Sequence, residues 1–360
     1  MADVQPLPAQ TVEPVEPLPF PLVPRDRTPS VAVVVPTFNE EDVLPLTYRR
    51  IAQAMDALGA PWSIMFVNDG SSDGTLRALE KLYEGDRRVS YVALSRNFGH
   101  QAALAAGLDH AEGDVVITMD ADLQHPPEVI GAMLDAWRRG FDVVHTRKLA
   151  TDGLPPLRAF ATRIAYKLIS RVATVRIVEQ ASDFRLLDRE AVEAIAGLPE
   201  RDRLYRGLAP WVGFRQAVVP FRADARQAGS SQYGLRRLVS LFSRSFFDFS
   251  RAPLQVGLLV GGAAIALCLA YLGYVLAALL MGRSIPSGFV SLIFVIVFLS
   301  SVNLCFAGIV GVYVARIYDE VRGRPTYVVG RVRSHRVTVD AIKGAELAGG
   351  ADVQSVSNVV

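Results

Sequence analysis

The sequence predicts an α/β domain on a mostly parallel sheet, followed by a two-helix transmembrane hairpin. Three observations predict it. Short apolar runs rich in β-branched residues alternate with helical stretches between Val31 and Thr146, the pattern of a parallel sheet with crossover helices. Two uncharged segments, 252–282 and 284–315, are each about 30 residues long, where a helix crossing a bilayer needs about 20. The mean hydropathy is +0.26 although 21% of the 360 residues are charged. Such an apolar excess has to be concentrated somewhere, and those two segments hold it.

The elements follow in order. Residues 1–29 are rich in proline and lack periodicity, as in VEPVEPLPFPLVP, and read as an extended or disordered tail. The α/β domain is expected over 30–232. VAVVVP from Val31 is a continuous apolar run that suits a strand buried on both faces. A helix is expected over Glu41–Leu58, a strand over 63–69, a helix over Thr75–Tyr83 and a strand over 89–94. A helix over His100–Ala111, a strand over 114–120, a helix over Pro126–Arg139 and a strand over 141–146 complete the series. Residues 233–251 alternate Leu, Val and Phe with Arg at helical spacing, which predicts an interfacial amphipathic helix. Residues 156–175 have a similar pattern and fit an interfacial helix or one packed on the sheet.

Arg236, Arg237, Arg244 and Arg251 precede the first apolar span, and Arg316, Arg322 and Arg324 follow the second. Only Arg283 lies between them. This asymmetry places both flanks, the α/β domain and the tail 316–360 on the cytoplasmic side of the plasma membrane. No basic-then-apolar signal peptide opens the chain. The two cysteines, Cys268 and Cys305, fall in the apolar spans and exclude a disulfide scaffold. With 38 basic and 36 acidic residues and a net charge of +2, a nucleic-acid partner is not expected.

Ligands of open parallel sheets bind at the carboxyl ends of the strands. Three expected strands end there in polar or acidic residues: Pro36–Glu40, Asn68–Asp69 and Asp120–Asp122. In an extended segment residues i, i+2 and i+4 face one way, so Asp120, Asp122 and Gln124 would offer three oxygen ligands together. Hard cations such as Mg²⁺ or Mn²⁺ favour such ligands alongside substrate phosphates. His100, His110, His125 and His145 are scattered, and none forms a metal-spaced pair. No G-x-G-x-x-G follows the first strand, which argues against a dinucleotide-dependent oxidoreductase.

PTFNEE (36–41), VNDGSSDGT (67–75), RNFGHQAAL (96–104) and MDADLQHPPE (119–128) stand in the order of the motifs of family 2 glycosyltransferases. The chain resembles that family over about residues 30–325, and within it the polyprenyl-phosphate branch with dolichyl-phosphate mannose synthases and bactoprenol glucosyltransferases. The resemblance implies a GT-A fold, a nucleotide-sugar donor with UDP favoured over GDP, and a polyprenyl phosphate acceptor in the membrane. It implies an inverting enzyme of envelope glycan or glycolipid modification that depends on Mg²⁺ or Mn²⁺, and it allows a homo-oligomer. Pro36, Phe38 and Glu40 match its first nucleotide-contact motif, and Val67 and Asp69 its second. Asp120, Ala121, Asp122 and Gln124 match the donor-diphosphate and metal site, and Arg147 a phosphate-binding arginine.

SDFRLLDRE (182–190) resembles a motif of the bacterial members, whose acid, here Asp183, is proposed to lie near the acceptor. Read from the residues alone, Asp183 is equally a strand-end or helix-capping acid, and Arg185 contacts phosphate or pairs with Asp183. RQAGSSQYGLRRL (226–238) departs from the family's R-x-A-G-E-S-K-Y. Arg226 and Tyr233 match, Ser230 replaces a glutamate, and Gln232 replaces a lysine associated with phosphate. Two alternatives stand beside this reading: a processive polysaccharide synthase, against which the missing Q-x-x-R-W argues, and a non-catalytic membrane scaffold, against which the intact acidic triplet argues.

Overall fold

The computed structural model describes residues 13–14, 21–149, 181–198, 200, 205–222, 252–281 and 288–335. The amphipathic segments 156–175 and 235–251 and the loop with Arg226 and Gln232 lie outside the described residues. The described elements are β1 (Glu13–Pro14), β2 (Val31–Thr37), α1 (Leu44–Leu58), β3 (Trp62–Asn68), α2 (Thr75–Gly85), β4 (Val89–Leu94) and α3 (His100–His110). They continue with β5 (Val115–Thr118), α4 (Ile130–Arg138), β6 (Val143–Lys148), β7 (Ala181–Asp188), α5 (Arg189–Ala196), α6 (Tyr205–Trp211) and β8 (Gln216–Phe221). Helices α7 (Ala252–Leu280) and α8 (Phe289–Arg322) and strand β9 (Val329–Arg333) follow.

The strands form one sheet in the order β1-β8-β6-β7-β5-β2-β3-β4-β9. Strands β2, β3, β4 and β5 are parallel to one another, and β8 is parallel to β6. β7 lies antiparallel between β5 and β6, so β6 runs the same way as β5. The parallel strands therefore end, and β7 begins, on one edge of the sheet. The reversal of β7 brings the start of the SDF motif to the edge where three acidic strand ends already converge.

The sheet is buried on both faces, as the VAVVVP run predicts. Val31, Val33 and Val35 join one core with Leu44, Ile51 and Met55 of α1, Leu79 of α2, and Met133 and Trp137 of α4. Ala32 and Val34 face a second core with Ala103 and Leu104 of α3, Val192 and Ile195 of α5, and Leu208 of α6. Each large aliphatic side chain so buried contributes roughly 1.5–3 kcal/mol.

Parts of both expected tails pack onto the sheet, β1 pairing antiparallel with β8. Arg25 donates to the carbonyls of Trp137 (2.7 Å) and Phe141 (3.0 Å) and lies 4.8 Å over the Trp137 ring. It also pairs with Asp142, whose other partner is Arg215 at 2.7 Å. Burial works to raise the Asp142 carboxyl, but the bonds from Arg215 and Arg25 outweigh it and hold it below its ordinary value. After α8, β9 pairs antiparallel with β4. Its flanks are fixed by Tyr327 donating to Asp109 (2.8 Å), by the Arg331–Glu80 pair (2.7 Å), and by His335 stacked 3.9 Å from Tyr83.

Helices α7 and α8 contain the stretches 260–278 and 295–322, long and apolar enough to cross a membrane, and among the described residues none of either stretch is buried within the protein. Soluble core helices of that length would be covered, so these are candidate membrane spans.

His145 on β6 is wholly buried, and its Nε2 lies 3.0 Å from Gln216 Oε1. Burial first, and the nearby Arg185 charge second, push its imidazole down to about 4. In the unfolded chain it titrates near 6.5. Between those values the unfolded chain binds a proton that the folded protein refuses, so stability is full above pH ~6.5 and falls as the pH drops towards 4. Thermal unfolding between pH 7 and pH 4 is expected to show a shallower fall for His145→Gln than for wild type. The difference approaches one proton, about 1.4 kcal/mol per pH unit, and identical slopes would contradict the assignment.

Candidate active site

The first two motifs interlock. Asn39, at φ 55, donates its N–H to Ser71 Oγ (3.0 Å) and accepts from the Ser72 N–H (2.9 Å). The Glu40 N–H donates to Thr75 Oγ1 (2.9 Å), and Glu41 accepts from the Gly74 N–H (2.8 Å). Side chains of each loop thus satisfy the backbone of the other, which holds the carboxyl ends of β2 and β3 together without a regular element. Pro36 stands opposite Val67 in the ladder, and Phe38 is 46% exposed at the lip of the site.

Asp69 is buried, and its two oxygens accept from the N–H groups of Phe98 (2.7 Å) and Gly99 (2.9 Å). Burial pushes its carboxyl up from the ordinary value, and the two amides only partly offset this. The side chain thus fixes the loop between β4 and α3. Gly70 stands where that loop crosses. Its φ is +64, and a Cβ there would lie 2.3 Å from the Arg96 carbonyl carbon. Gly70→Ala is expected to destabilise the protein by about 2–3 kcal/mol, or roughly 5–10 °C in Tm. An unchanged Tm would contradict this crossing.

The acidic motif departs from the expected geometry. Strand β5 stops at Thr118 and the chain bends at 121–123, with Leu123 in the left-handed region at φ 61. Strand alternation therefore does not align Asp120, Asp122 and Gln124. Asp122 instead accepts the Gln124 N–H on Oδ1 (3.1 Å), closing a local turn. The bend is held from outside: the Met119 N–H donates to the Val34 carbonyl (3.1 Å) and Thr47 Oγ1 to the Ala121 carbonyl (2.7 Å). The expected alternation ends because β5 stops pairing at Thr118 and the chain turns at 121–123, where the Leu123 side chain is buried.

Asp183 meets this loop from β7. Thr118 pairs with Arg185 in the β5–β7 register, and Thr118 Oγ1 donates to the Asp183 carbonyl (2.6 Å). His100 Nε2, at the start of α3, lies 3.5 Å from Asp120 Oδ1 and 3.6 Å from Asp183 Oδ2. Of the two readings of Arg185, pairing is observed. Its guanidinium donates to Asp183 Oδ1 (3.0 Å) and the Tyr205 carbonyl (2.6 Å), and the two side chains are 2% and 6% exposed. Arg147 stands at the end of β6, opposite Ala181 of β7 and Pro220 of β8, beside a register shift.

Two histidines that the spacing argument passed over belong to this site. His100 has just been placed between two carboxylates. His125 is buried and accepts the Asp120 N–H on Nδ1 (3.0 Å), and its Nε2 lies 2.6 Å from Ser182 Oγ. Burial pushes its imidazole down, against the pull of Asp120, Asp122 and Asp183. No spacing rule finds either residue, because each touches residues distant in sequence or acts through a turn.

The donor set fits a hard divalent cation shared with a substrate. Asp120 and Asp122 supply carboxylates at the mouth of the sheet edge. Among the described residues no group of three or more His, Cys, Asp or Glu could hold an ion by protein ligands alone. Mg²⁺-type sites of one or two carboxylates completed by substrate phosphates have that composition.

The acids of successive motifs and the 3.6 Å contact between His100 and Asp183 thus gather at the edge where the parallel strands end. Residues 32–196 match the family described as glycosyl transferase family 2. The chain is 39% identical over 303 residues to an uncharacterized glycosyltransferase, sll0501, of Synechocystis, covering 84% of this chain and 95% of that one. It is 37% identical over 308 residues to the bactoprenol glucosyl transferase of Shigella phage SfII, covering 85% and 98%. A mannosyltransferase structure from Pyrobaculum calidifontis, in complex with GDP-Man and Mn²⁺, is similar at 19% identity and a TM-score of 0.43, over 84% of this chain and 90% of that one. The chain belongs to glycosyl transferase family 2 and is a glycosyltransferase.

Proposed function

We propose that this enzyme transfers one sugar from a nucleotide-sugar donor, UDP-linked in preference to GDP-linked, to a polyprenyl phosphate, with inversion at the anomeric carbon. The observation that carries this reading is the full-length similarity to a protein named bactoprenol glucosyl transferase, covering 98% of that protein. The site supports it. Pro36, Phe38, Glu40, Val67 and Asp69 belong to the two interlocked loops and would border the nucleotide. Asp120, Asp122 and Gln124 would hold the diphosphate through Mg²⁺ or Mn²⁺, and Arg147 would meet the same charge. Arg226, which matches the family's pattern, and Gln232, which stands in place of its lysine, would complete the donor set.

The reaction breaks the bond from the sugar C1 to the donor diphosphate and forms one from C1 to a lipid phosphate oxygen. The nucleoside diphosphate leaves with the electron pair. A divalent ion, when bound, supplies electrostatic stabilisation of that leaving charge. The chain's residues orient the groups: Asp120 and Asp122 would hold the divalent ion that bridges to the diphosphate, and Arg147 would add positive charge on the same edge. The nucleophile is already anionic at neutral pH, so it needs no strong base. Asp183, paired with Arg185 and facing His100, would border the acceptor. Helices α7 and α8 would span the plasma membrane with the sheet on its cytoplasmic side. Helix α8, with 34 residues, is about 50 Å long, beyond the about 30 Å of hydrocarbon. Its charged last turns, with Arg316, Asp319, Glu320 and Arg322, would then project toward the sheet.

The test is a panel of radiolabelled UDP- and GDP-sugars with polyprenyl phosphate and Mn²⁺ or Mg²⁺, followed by lipid extraction. Label in the lipid phase that needs the ion supports the reading. Label in a water-soluble polymer identifies a processive synthase instead, and no product with any donor supports a scaffold.

A further inference from the structure

We infer that His125 is a positioning residue that sets the peptide of Asp120, and through it the ion-binding turn, against the start of β7. The inference rests on the reading of the 120–124 turn as the donor site.

Both ring nitrogens of His125 are engaged. Nδ1 accepts the Asp120 N–H at 3.0 Å, so the ring proton sits on Nε2, which donates to Ser182 Oγ at 2.6 Å. Ser182 Oγ also accepts from the Phe184 N–H at 3.3 Å, which anchors it to β7. The ring stacks on Phe184, with centroids 5.2 Å apart at 22°, and meets Phe221 of β8 edge-on at 5.9 Å. One side chain thus ties the acidic turn to β7 and β8, next to Asp183.

The turn needs such a hold. It contains a non-glycine residue in the left-handed region, Leu123, and conformations of that kind persist only where neighbours over-determine them. The other holds act on Met119 and Ala121. The His125 bond acts on Asp120 itself, while the Asp120 carboxylate remains 34% exposed at the site mouth. The backbone is fixed and the ligand oxygens stay accessible, which is the arrangement a pre-organised ion site needs.

A histidine that only fills the core would affect stability alone. The discriminating measurement is Mn²⁺ binding with UDP present, read from the free-ion EPR signal of the full chain in detergent, alongside thermal unfolding and transfer rate. His125→Phe keeps a stacking ring and removes the acceptor. It is expected to raise the Mn²⁺ dissociation constant by about 10-fold or more and to lower kcat by a similar factor. His125→Asn places an amide oxygen near the Nδ1 position and is expected to restore Mn²⁺ affinity to within about 3-fold of wild type. Ser182→Ala keeps the ring, loses its second anchor, and is expected to fall between them. Wild-type Mn²⁺ affinity in His125→Phe, or no advantage of Asn over Phe, overturns the inference. Should His125→Phe not fold, Ser182→Ala decides, and wild-type affinity there overturns it. Asp122→Asn separates the two claims: if it binds Mn²⁺ as wild type does, the donor-site reading fails and the inference with it. If Asp122→Asn loses the ion while His125→Phe keeps it, the positioning role alone fails.

Discussion

Asp122→Asn is expected to lower sugar transfer by at least about 10²–10³-fold while leaving the fold intact. The substitution is chosen because Asn keeps the oxygen that accepts the Gln124 N–H at 3.1 Å. The turn that positions the residue therefore survives, and the change isolates one negative charge. Asp122 stands two residues after Asp120 on a loop tied at Met119 and Ala121, so no neighbouring acid can move in to replace it without breaking those bonds. Transfer rate at saturating donor, measured across an Mn²⁺ series together with the unfolding temperature, checks the prediction. Retention of more than about a tenth of wild-type turnover, with unchanged stability, would contradict an electrostatic role for this carboxylate.

Asp183→Ala is expected to have the largest effect on stability, a loss of about 3–5 kcal/mol. It leaves the Arg185 guanidinium, only 2% exposed, without its carboxylate partner. A buried, uncompensated charge is far costlier than the pair was favourable. Arg185 keeps its bond to the Tyr205 carbonyl at 2.6 Å, which limits relaxation towards solvent. The double variant Asp183→Ala/Arg185→Met, which removes both charges, is expected to recover most of the loss. Chemical denaturation of wild type, single and double variants reads this directly. A loss under about 1 kcal/mol in the single variant would contradict the buried pair. Turnover per folded molecule of Asp183→Asn then measures separately whether this acid also serves the acceptor.

The parts of the fold legible in the sequence were those whose composition and surroundings agree. Val31–Val35 are all apolar because helices cover both sheet faces, so the strand was readable from five residues. Strand β7 was not, since Asp183, Arg185 and Asp188 give it the look of surface. They are buried because each is paired, Asp188 for instance accepting the Trp137 Nε1–H at 2.7 Å. Strand β9 was also missed: VGRVR is exposed and basic, and its partner β4 lies far back in the chain. Of the site, the acidic strand ends were legible and their geometry was not. Alternation assumed a strand through Gln124, whereas Leu123 turns inward six residues after Ile117, well beyond the last paired residue, Thr118. The contacts of His100 with Asp183 and of His125 with Ser182 depend on where β7 lies against β5, which no local spacing encodes.

In the proposed reaction a single glycosyl group moves to a phosphate oxygen of a polyprenyl lipid. Mass spectrometry of the lipid product, made by the full chain in vesicles containing polyprenyl phosphate, tests it most directly. The expected product is polyprenyl phosphate carrying one sugar residue and one phosphate, with the free nucleoside diphosphate released in equal amount. A product with two phosphates would identify transfer of a sugar phosphate, and a ladder of sugars a polymerase. Either would contradict transfer of a single sugar to the lipid phosphate.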